Sequence, residues 1–346
     1  MRDKIGITMG DPAGVGPEIV VKALKNKGIY EKCIPVVFGD LRALEDANSF
    51  TGNEVSFIKH ESPSTAEGNY GIIDVIDLNA LGTEDYEYKM VQELTGEASF
   101  QYIIKAIKSA MDEEIDAVIT GPINKEAINL AGHHYSGHTE IFGDYTNSKD
   151  YAMLLASNAL NVIHVTTHCS MREACDKITK ERVLRVIELA RDGLVLLGND
   201  NPKIAVAGLN AHSGENGLFG WEEEREIIPA INSAEELGID VEGPVPPDTV
   251  FVKAIAGQYD VVVAMYHDQG HIPFKMAGFH LDAKTNLYTE MSGVNCTIGL
   301  PIIRVSVDHG TAFGKAGEGR ANEESMVEAI ETGISMANNK SKLAEL

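Results

Sequence analysis

The chain has 346 residues, of which 44% are hydrophobic and 23% are charged, which is enough length for two domains, each with its own core. Lysine and arginine number 29 against 52 aspartate and glutamate residues, which gives a formal net charge of −23. A chain this negative repels phosphate backbones and anionic lipids, so no nucleic-acid partner and no membrane surface is expected. An anionic small substrate would need a local cluster of basic groups or helix N-termini.

The first residues lead directly into an apolar strand pattern, without the apolar core and cleavage site of a signal peptide. The apolar runs are all much shorter than the roughly 20 residues needed to span a bilayer. The cysteines lack CxxC spacing and suit reduced thiols: Cys33, Cys169, Cys175 and Cys296. These features predict a cytoplasmic protein that does not associate with membranes.

Short β-branched runs alternate with segments of helical spacing along the chain. Strands are predicted at residues 5–8, 34–38, 117–120, 162–166, 204–207, 261–264 and 302–307. Helices are predicted at residues 19–25, 100–111, 180–197 and 222–237 and from about residue 323. This alternation favours an α/β fold with a substantially parallel sheet. Since no linker sequence separates the domains, we expect them to share crossing strands.

Three histidines occupy equivalent positions in the pattern. His168, His212 and His267 each follow an apolar strand by a few residues. Ligands bind at the carboxyl ends of strands in open α/β sheets, so such loops predict a polar cleft. Three imidazoles with an open coordination position would form a catalytic metal site. The alternative is that each histidine is only hydrogen-bonded within its own loop.

Two glycine-rich stretches follow predicted strands. Residues 10–18, with Pro17 at the start of a helix, would hold an anion at the helix N-terminus or form a structural turn. They match neither the dinucleotide nor the P-loop fingerprint. In residues 308–322 the glycines let backbone N–H groups approach phosphates, and His309 and Asn322 could bind a purine edge. A mobile surface loop is the alternative for this second stretch.

Basic residues flank the polar loops: Lys125, Lys275 and Arg304. They are candidate ligands for a phosphate or carboxylate, which Arg can bind in bidentate fashion. Each could equally be an ordinary surface charge.

Eight motifs, in order along essentially the whole chain, resemble the 4-hydroxythreonine-4-phosphate dehydrogenase family of vitamin B6 synthesis. They are residues 9–18, 120–125, 136–140, 166–168, 208–212, 247–249, 264–270 and 307–312. The resemblance implies an α/β, two-domain fold of the isocitrate and isopropylmalate dehydrogenase type, with an interdomain active-site cleft. It also implies a homodimer in which the partner subunit completes each active site. We assign residues 1–135 plus 300–346 to the first domain and 136–299 to the second.

The resemblance also assigns roles to single residues. His168, His212 and His267 match the family's divalent-metal ligands, one of them arriving from the other subunit. Zn²⁺ is the first expectation, and Mg²⁺, Co²⁺ and Mn²⁺ are alternatives. The substrate-binding positions are His138, Thr139, Lys275, Asn295 and Arg304. The second glycine-rich stretch resembles the cofactor loop of isocitrate and isopropylmalate dehydrogenases, which assigns NAD to His309, Gly310, Thr311 and Asn322.

The implied reaction is an oxidative decarboxylation of a small phosphorylated hydroxy acid. The metal lowers the pKa of the C3 hydroxyl, hydride passes to the nicotinamide, and the resulting β-keto acid loses CO₂. Lys275 or Asp248 is the candidate for proton transfer. Lys315 and Arg320 could pair with a 2′-phosphate, so NADP stays an alternative to NAD.

The sequence departs from the biosynthetic pattern at an extra polar stretch, residues 280–291. With residues 270–273 it resembles the catabolic branch, which acts on 4-phospho-D-threonate or 4-phospho-D-erythronate and gives dihydroxyacetone phosphate. We therefore expect this stretch to tune substrate choice. Two alternatives stay open: the B6 enzyme itself, and a metal-dependent hydrolase or metal-binding module that uses the histidines to activate water.

Overall fold

The computed structural model describes residues 2–282 and 287–345, and it alternates strands and helices along the chain. The strands are β1 (Asp3–Thr8), β2 (Cys33–Gly39), β3 (Ser56–Lys59), β4 (Ile72–Asp77), β5 (Ala117–Thr120), β6 (Ala152–Ala156), β7 (Val162–His164), β8 (Ile204–Ala207), β9 (Val241–Val245), β10 (Val261–Ala264), β11 (Phe279–Asp282), β12 (Leu287–Met291), β13 (Val294–Ile298) and β14 (Ile303–Val307). The helices are α1 (Gly16–Ala23), α2 (Lys27–Lys32), α3 (Leu41–Phe50), α4 (Glu93–Met111), α5 (Lys125–Leu130), α6 (His138–Tyr145), α7 (Met171–Lys177), α8 (Lys180–Leu196), α9 (Ile228–Glu236), α10 (Val250–Ile255), α11 (His267–Gly278) and α12 (Glu324–Asn339). Within the described residues, none of these helices combines the length and the apolar character needed to cross a membrane.

The chain divides into two compact units, and the first comprises the residues up to Lys149 together with Leu300–Asn338. Its strands lie in the order β3-β4-β2-β1-β5-β14 and are parallel to their neighbours. Helix α4 packs on β1, β2 and β5, where Ile5, Ile7 and Ile119 are fully buried. Parallel strands that are covered by helices have largely continuous apolar sequences. Strands β1, β2 and β5 could be predicted from the sequence for this reason.

Helices α4 and α5 approach each other closely in the first unit. A Cβ on Gly96 of α4 would stand 2.1 Å from the carbonyl oxygen of Ala127 in α5. Glycine is therefore required at this crossing, and the contact sets the position of the loop and helix that carry Asn124 and Lys125. Asn124 caps α5 by accepting a hydrogen bond from the Ala127 N–H at 3.0 Å.

The second unit comprises Asp150–Gly299 and the residues from Asn339 on. Its strands lie in the order β13-β6-β7-β10-β8-β9. Strands β7, β10, β8 and β9 are parallel, whereas β6 is antiparallel to both β7 and β13. One face of this sheet buries a core that includes Leu155, Val162, Val262 and Phe274. The carboxyl ends of β7, β10 and β8 consequently meet at one edge of the sheet.

The predicted α/β class is confirmed, and the predicted strands at 117–120, 204–207 and 261–264 coincide with β5, β8 and β10. The predicted helix at 222–237 begins with a π-helical turn, Glu223–Ile227, before α9. Residues 136–149, which we assigned to the second domain, pack with the first unit. The polar stretch 280–291 forms most of a hairpin in which β11 pairs with β12, while residues 283–286 lie outside the described residues. Its role in substrate choice stays a prediction.

Candidate active site

Three loops of the first unit interlock where the parallel strands β1, β5 and β14 end. The Gly121 N–H donates to the carbonyl of Thr8 at 2.9 Å, and the Asp11 N–H donates to that of Pro122 at 2.9 Å. The Val15 N–H donates to the carbonyl of Thr311 at 3.0 Å. The glycine-rich stretch 10–18 is thus bonded through its backbone to both neighbouring loops, so it has a structural function.

A cluster of basic side chains lies near the carboxyl end of β5. Arg304 on β14 is 2% exposed, and its Nη2 donates to the Thr120 hydroxyl at 3.0 Å. Loss of solvation, together with the nearby charges of Arg304 and Lys125, holds the pKa of His138 well below its usual range. His138 begins helix α6, followed by Thr139. A neutral imidazole, two cations and a helix N-terminus form an environment suited to an anion.

The loop that follows β14 contains the predicted cofactor positions. A Cβ on Gly310 or Gly314 would meet open space, so the backbone there is accessible to a ligand. His309 Nδ1 donates to the carbonyl of Gly310 at 2.9 Å. Asn322 is exposed, and its side-chain oxygen accepts a hydrogen bond from the Glu324 N–H at 2.7 Å, where α12 begins. Asn322 therefore also stabilises the start of α12 by accepting this hydrogen bond.

Two of the predicted metal ligands lie together in the second unit. His168, after β7, and His267, after β10, have ring centroids 6.0 Å apart. Both line a pocket of about 290 Å³. The other lining residues are Thr167, Cys169, Met171, Ala174, Tyr266 and Asp268. His267 is the first residue of α11 and not a loop residue, so its backbone is fixed by the helix.

His212 belongs to a separate tight turn after β8. Its backbone is in the left-handed region, at φ 53°, and its ring lies edge-on to Phe219. The buried Glu223 holds this loop because its Oε1 accepts from the N–H groups of Leu209 and Asn210 at 2.8 and 2.7 Å. Within the described residues, no group of three His, Cys, Asp or Glu side chains is placed to hold a metal.

Two of the histidines have a carboxylate on one ring nitrogen. His267 Nδ1 lies 2.7 Å from Asp268 Oδ1, and His212 Nδ1 lies 2.9 Å from Glu215 Oε1. A carboxylate accepts, so Nδ1 carries the proton and Nε2 of a neutral ring keeps its lone pair. This arrangement is typical of histidines that bind a metal. The chemistry of His267 and His212 therefore suits a divalent cation.

Two further histidines, His164 and His271, adjoin this site, and neither was predicted to belong to it. The His271 ring stacks on that of His267 at a centroid distance of 3.7 Å, and its Nδ1 donates to the His267 carbonyl at 3.0 Å. Burial lowers the pKa of His271 to about 4 and that of His164 to about 3. The signal in the sequence was the i, i+4 spacing of His267 and His271 on one helix face.

The remaining predicted residues of the second unit occupy different elements. Lys275 lies on α11, and its Nζ is 4.2 Å from the ring centroid of Phe279. Asn295 is half-buried on β13, and its Oδ1 has no hydrogen-bond partner among the described residues. Asp248 is exposed in the turn between β9 and α10. These placements leave the assigned roles as predictions.

Comparison with known proteins gives consistent matches. The family model described as "Pyridoxal phosphate biosynthetic protein PdxA" matches residues 31–333. The D-threonate 4-phosphate dehydrogenase of Salmonella typhimurium is 47% identical over 96% of this chain and 98% of its own length. That of Cupriavidus necator is 44% identical over 97% and 98%. The crystal structure of a 4-hydroxythreonine-4-phosphate dehydrogenase from Burkholderia phymatum, 46% identical, matches with a TM-score of 0.82 over 97% and 98%.

The fold and these matches define an α/β oxidoreductase of the dehydrogenase class. The chain belongs to the family of the pyridoxal phosphate biosynthetic protein PdxA. The resemblance inferred from the eight motifs is thereby confirmed. Membership of a dehydrogenase family also removes the alternative of a hydrolase or a simple metal-binding module.

Proposed function

We propose that the protein oxidises the C3 hydroxyl of a 4-phosphorylated four-carbon hydroxy acid, with NAD and a divalent cation, and that CO₂ loss follows. The favoured substrates are 4-phospho-D-threonate and 4-phospho-D-erythronate. Oxidation at C3 gives a β-keto acid, and loss of its carboxylate as CO₂ leaves dihydroxyacetone phosphate. Two full-length relatives are named D-threonate 4-phosphate dehydrogenase, which supports this substrate class.

The observation that carries the proposal is the basic cluster near the carboxyl end of β5. Arg304, Lys125 and the N-terminus of α6 would bind the dianionic phosphate or the carboxylate of the substrate. His138 is neutral, so it can donate a hydrogen bond without adding charge. Because the chain has a net charge of −23, binding an anionic substrate requires a local cluster of positive charge, and these residues provide it.

In the second unit we assign His168, His212 and His267 to a divalent cation, with Zn²⁺ first and Mg²⁺, Co²⁺ or Mn²⁺ as alternatives. When bound, such an ion supplies Lewis-acid polarisation of the C3 oxygen. Asp268 and Glu215 hold two of the imidazoles in the tautomer that a ligand needs. Lys275 or Asp248 would move the proton, and Asn295 would bind the substrate.

We propose that the active enzyme is a homodimer in which His212 completes the site of the partner. His168 and His267 share a pocket, whereas no group of three candidate ligands assembles among the described residues of one chain. His212 is exposed on a turn that Glu223 anchors, so it is available to a second copy. Cys33, Cys169 and Cys175 are thiols and not disulfides, which supports a reducing, cytoplasmic location.

NAD is assigned to His309, Gly310, Thr311 and Asn322 of the first unit. These residues would hold NAD, which would supply a hydride acceptor for the oxidation at C3. The open backbone at Gly310 and Gly314 supports this assignment, because pyrophosphate groups are bound by backbone N–H groups at close range.

A second candidate is oxidation of 4-hydroxythreonine 4-phosphate, which differs at the C2 substituent. The structural match to a protein described by that activity favours it. NADH formation at 340 nm should be measured with NAD and each of the three acids, with and without a chelator. We expect turnover with the C2-hydroxy acids, formation of dihydroxyacetone phosphate, and loss of turnover on chelation. Turnover only with the amino acid would support the second candidate.

A further inference from the structure

We infer that helix α1 is the support of the proposed cofactor loop, and that Glu18 is the positioning residue for its distal end. The inference rests on the proposed function, because it assumes that the loop after β14 binds NAD. It assigns a role to the glycine-rich stretch 10–18, whose sequence left a ligand site and a structural turn equally open.

The near end of the loop is fixed by the residues that precede α1. The Val15 N–H donates to the carbonyl of Thr311 at 3.0 Å. A Cβ on Gly14 would stand 2.9 Å from both Cβ and the carbonyl oxygen of Thr311, so only glycine permits this approach. Thr311 is one of the predicted cofactor positions, and its backbone is consequently held against the start of α1.

The distal end is fixed by the first turn of α1. Glu18 is 1% exposed, and its Oε1 accepts a hydrogen bond from the buried Ala321 N–H at 2.6 Å. Lys22, one turn later on the helix, contacts the Ala321 carbonyl and lies 3.1 Å from Glu323. Both polar backbone groups of Ala321 are thus bonded to α1. The next residue is Asn322, another predicted cofactor position.

The residues between the two anchored positions, Thr311 and Ala321, also pack against other parts of the first unit. A Cβ on Gly319 would stand 2.4 Å from the carbonyl oxygen of Phe50, so this glycine packs directly on the Phe50 backbone. Gly317 lies on the ring of Tyr88. A mobile loop loses backbone conformational entropy when a cofactor binds. A loop that is already ordered does not have this cost, so its affinity for the cofactor is higher. Removing an anchor should therefore weaken NAD binding and leave substrate binding largely unchanged.

The test compares NAD affinity, measured directly by titration calorimetry on the intact enzyme, with KM for the phosphorylated acid. We expect Glu18→Ala to weaken NAD binding by about tenfold or more and to change KM for the acid by less than about twofold. Glu18→Gln keeps the acceptor oxygen and should retain most of the affinity. Hydrogen exchange across residues 311–321 should accelerate in Glu18→Ala only.

A second pair of variants covers the case in which Glu18→Ala fails to fold. Lys22 lies in the last turn of α1 and Lys25 just after its end, and both side chains are 21% exposed, but Lys25 contacts Glu54 and the carbonyl of Thr51, which lie outside the loop. We expect Lys22→Met to weaken NAD binding several-fold and Lys25→Met to leave it unchanged. Equal affinity in the two variants, or wild-type affinity in folded Glu18→Ala, would overturn the inference. Absence of NAD binding by the wild-type chain would instead overturn the proposed function.

Discussion

Arg320 is an arginine of the proposed cofactor loop whose charge is already matched by a neighbour. Its Nε contacts Glu318, which also contacts Lys89, and hydrogen bonds from Lys89 and Arg320 lower the pKa of the Glu318 carboxyl. An arginine held in this way is less available to a 2′-phosphate. The arrangement favours NAD over NADP.

Glu318→Gln should release Arg320 and raise the ratio of kcat/KM for NADP over NAD. Because the pair is exposed, we expect a change of only about three- to tenfold. Glu331→Gln removes an exposed glutamate that pairs with Lys32 outside the loop, so it is the matched control and should leave the ratio unchanged. An identical ratio in both variants would remove Glu318 from cofactor selection.

Asp11 is a buried carboxyl in the stretch before α1. Burial raises its pKa from 3.8 to about 6, although hydrogen bonds from the Ala13 N–H and Thr95 act in the opposite direction. The folded state therefore binds the proton more tightly than the unfolded state. The stability that protonation contributes is present below about pH 4 and is lost as the pH rises to about 6.

Asp11→Asn removes this dependence. The free energy of unfolding of the variant relative to wild type should increase between pH 4 and pH 7, by roughly 2 to 3 kcal/mol. Denaturant titrations at several pH values measure it, with Asp112→Asn, an exposed carboxylate, as the control. A difference that does not vary with pH would show that Asp11 is ionised throughout.

Among the helices, the crossing of α4 and α5 tolerates no side chain. Gly96→Ala would bring a Cβ to 2.1 Å from the Ala127 oxygen and 2.2 Å from its carbonyl carbon, and backbone cannot move aside as a flexible side chain can. We expect a loss of about 1–3 kcal/mol in stability and weaker substrate binding, because α5 begins at Lys125. Thermal unfolding measures the first effect, and Gly314→Ala, whose Cβ would meet open space, is the control.

The strands that the sequence predicted contain short apolar runs. Strand β10 was recognised because all four of its residues are buried apolar side chains. Strand β13, with Asn295 and Thr297 inside it, has no such run, and its antiparallel pairing with β6 is a tertiary contact that local sequence does not encode. The helix that begins at His267 was missed because Gly270 and Pro273 interrupt its pattern.

Part of the candidate site could also be predicted from the sequence. Histidines after parallel strands follow from topology, so the sequence could bring His168 and His267 to one edge. Contacts between distant loops could not be foreseen. The hydrogen bond from the Ala321 N–H to Glu18 joins residues 303 positions apart, and no periodic pattern in the sequence predicts it.

For the whole molecule, the proposed sharing of His212 between subunits is testable by mixing inactive variants. His168→Ala and His212→Ala should each be inactive alone. After subunit exchange, half of the dimers are mixed and each mixed dimer has one intact site, so about a quarter of wild-type activity should return. Steady-state turnover after mixing measures it.

The control is a mixture of His168→Ala with His267→Ala. These two residues line the same pocket of one chain, so every site in the mixed dimer lacks one of them and no activity should return. Recovery in this control, or its absence in the first mixture, would contradict the shared site.

The first unit is discontinuous in sequence, and this has a consequence for synthesis on the ribosome. Strand β14 pairs with β5, although 184 residues separate Arg304 from its partner Thr120. Until the segment from Leu300 emerges, the edge of β5 has no strand to pair with, while Asp150–Gly299 of the second unit is already outside. The nascent chain thus carries an open parallel edge during much of its translation, the kind of surface that binds chaperones and promotes aggregation.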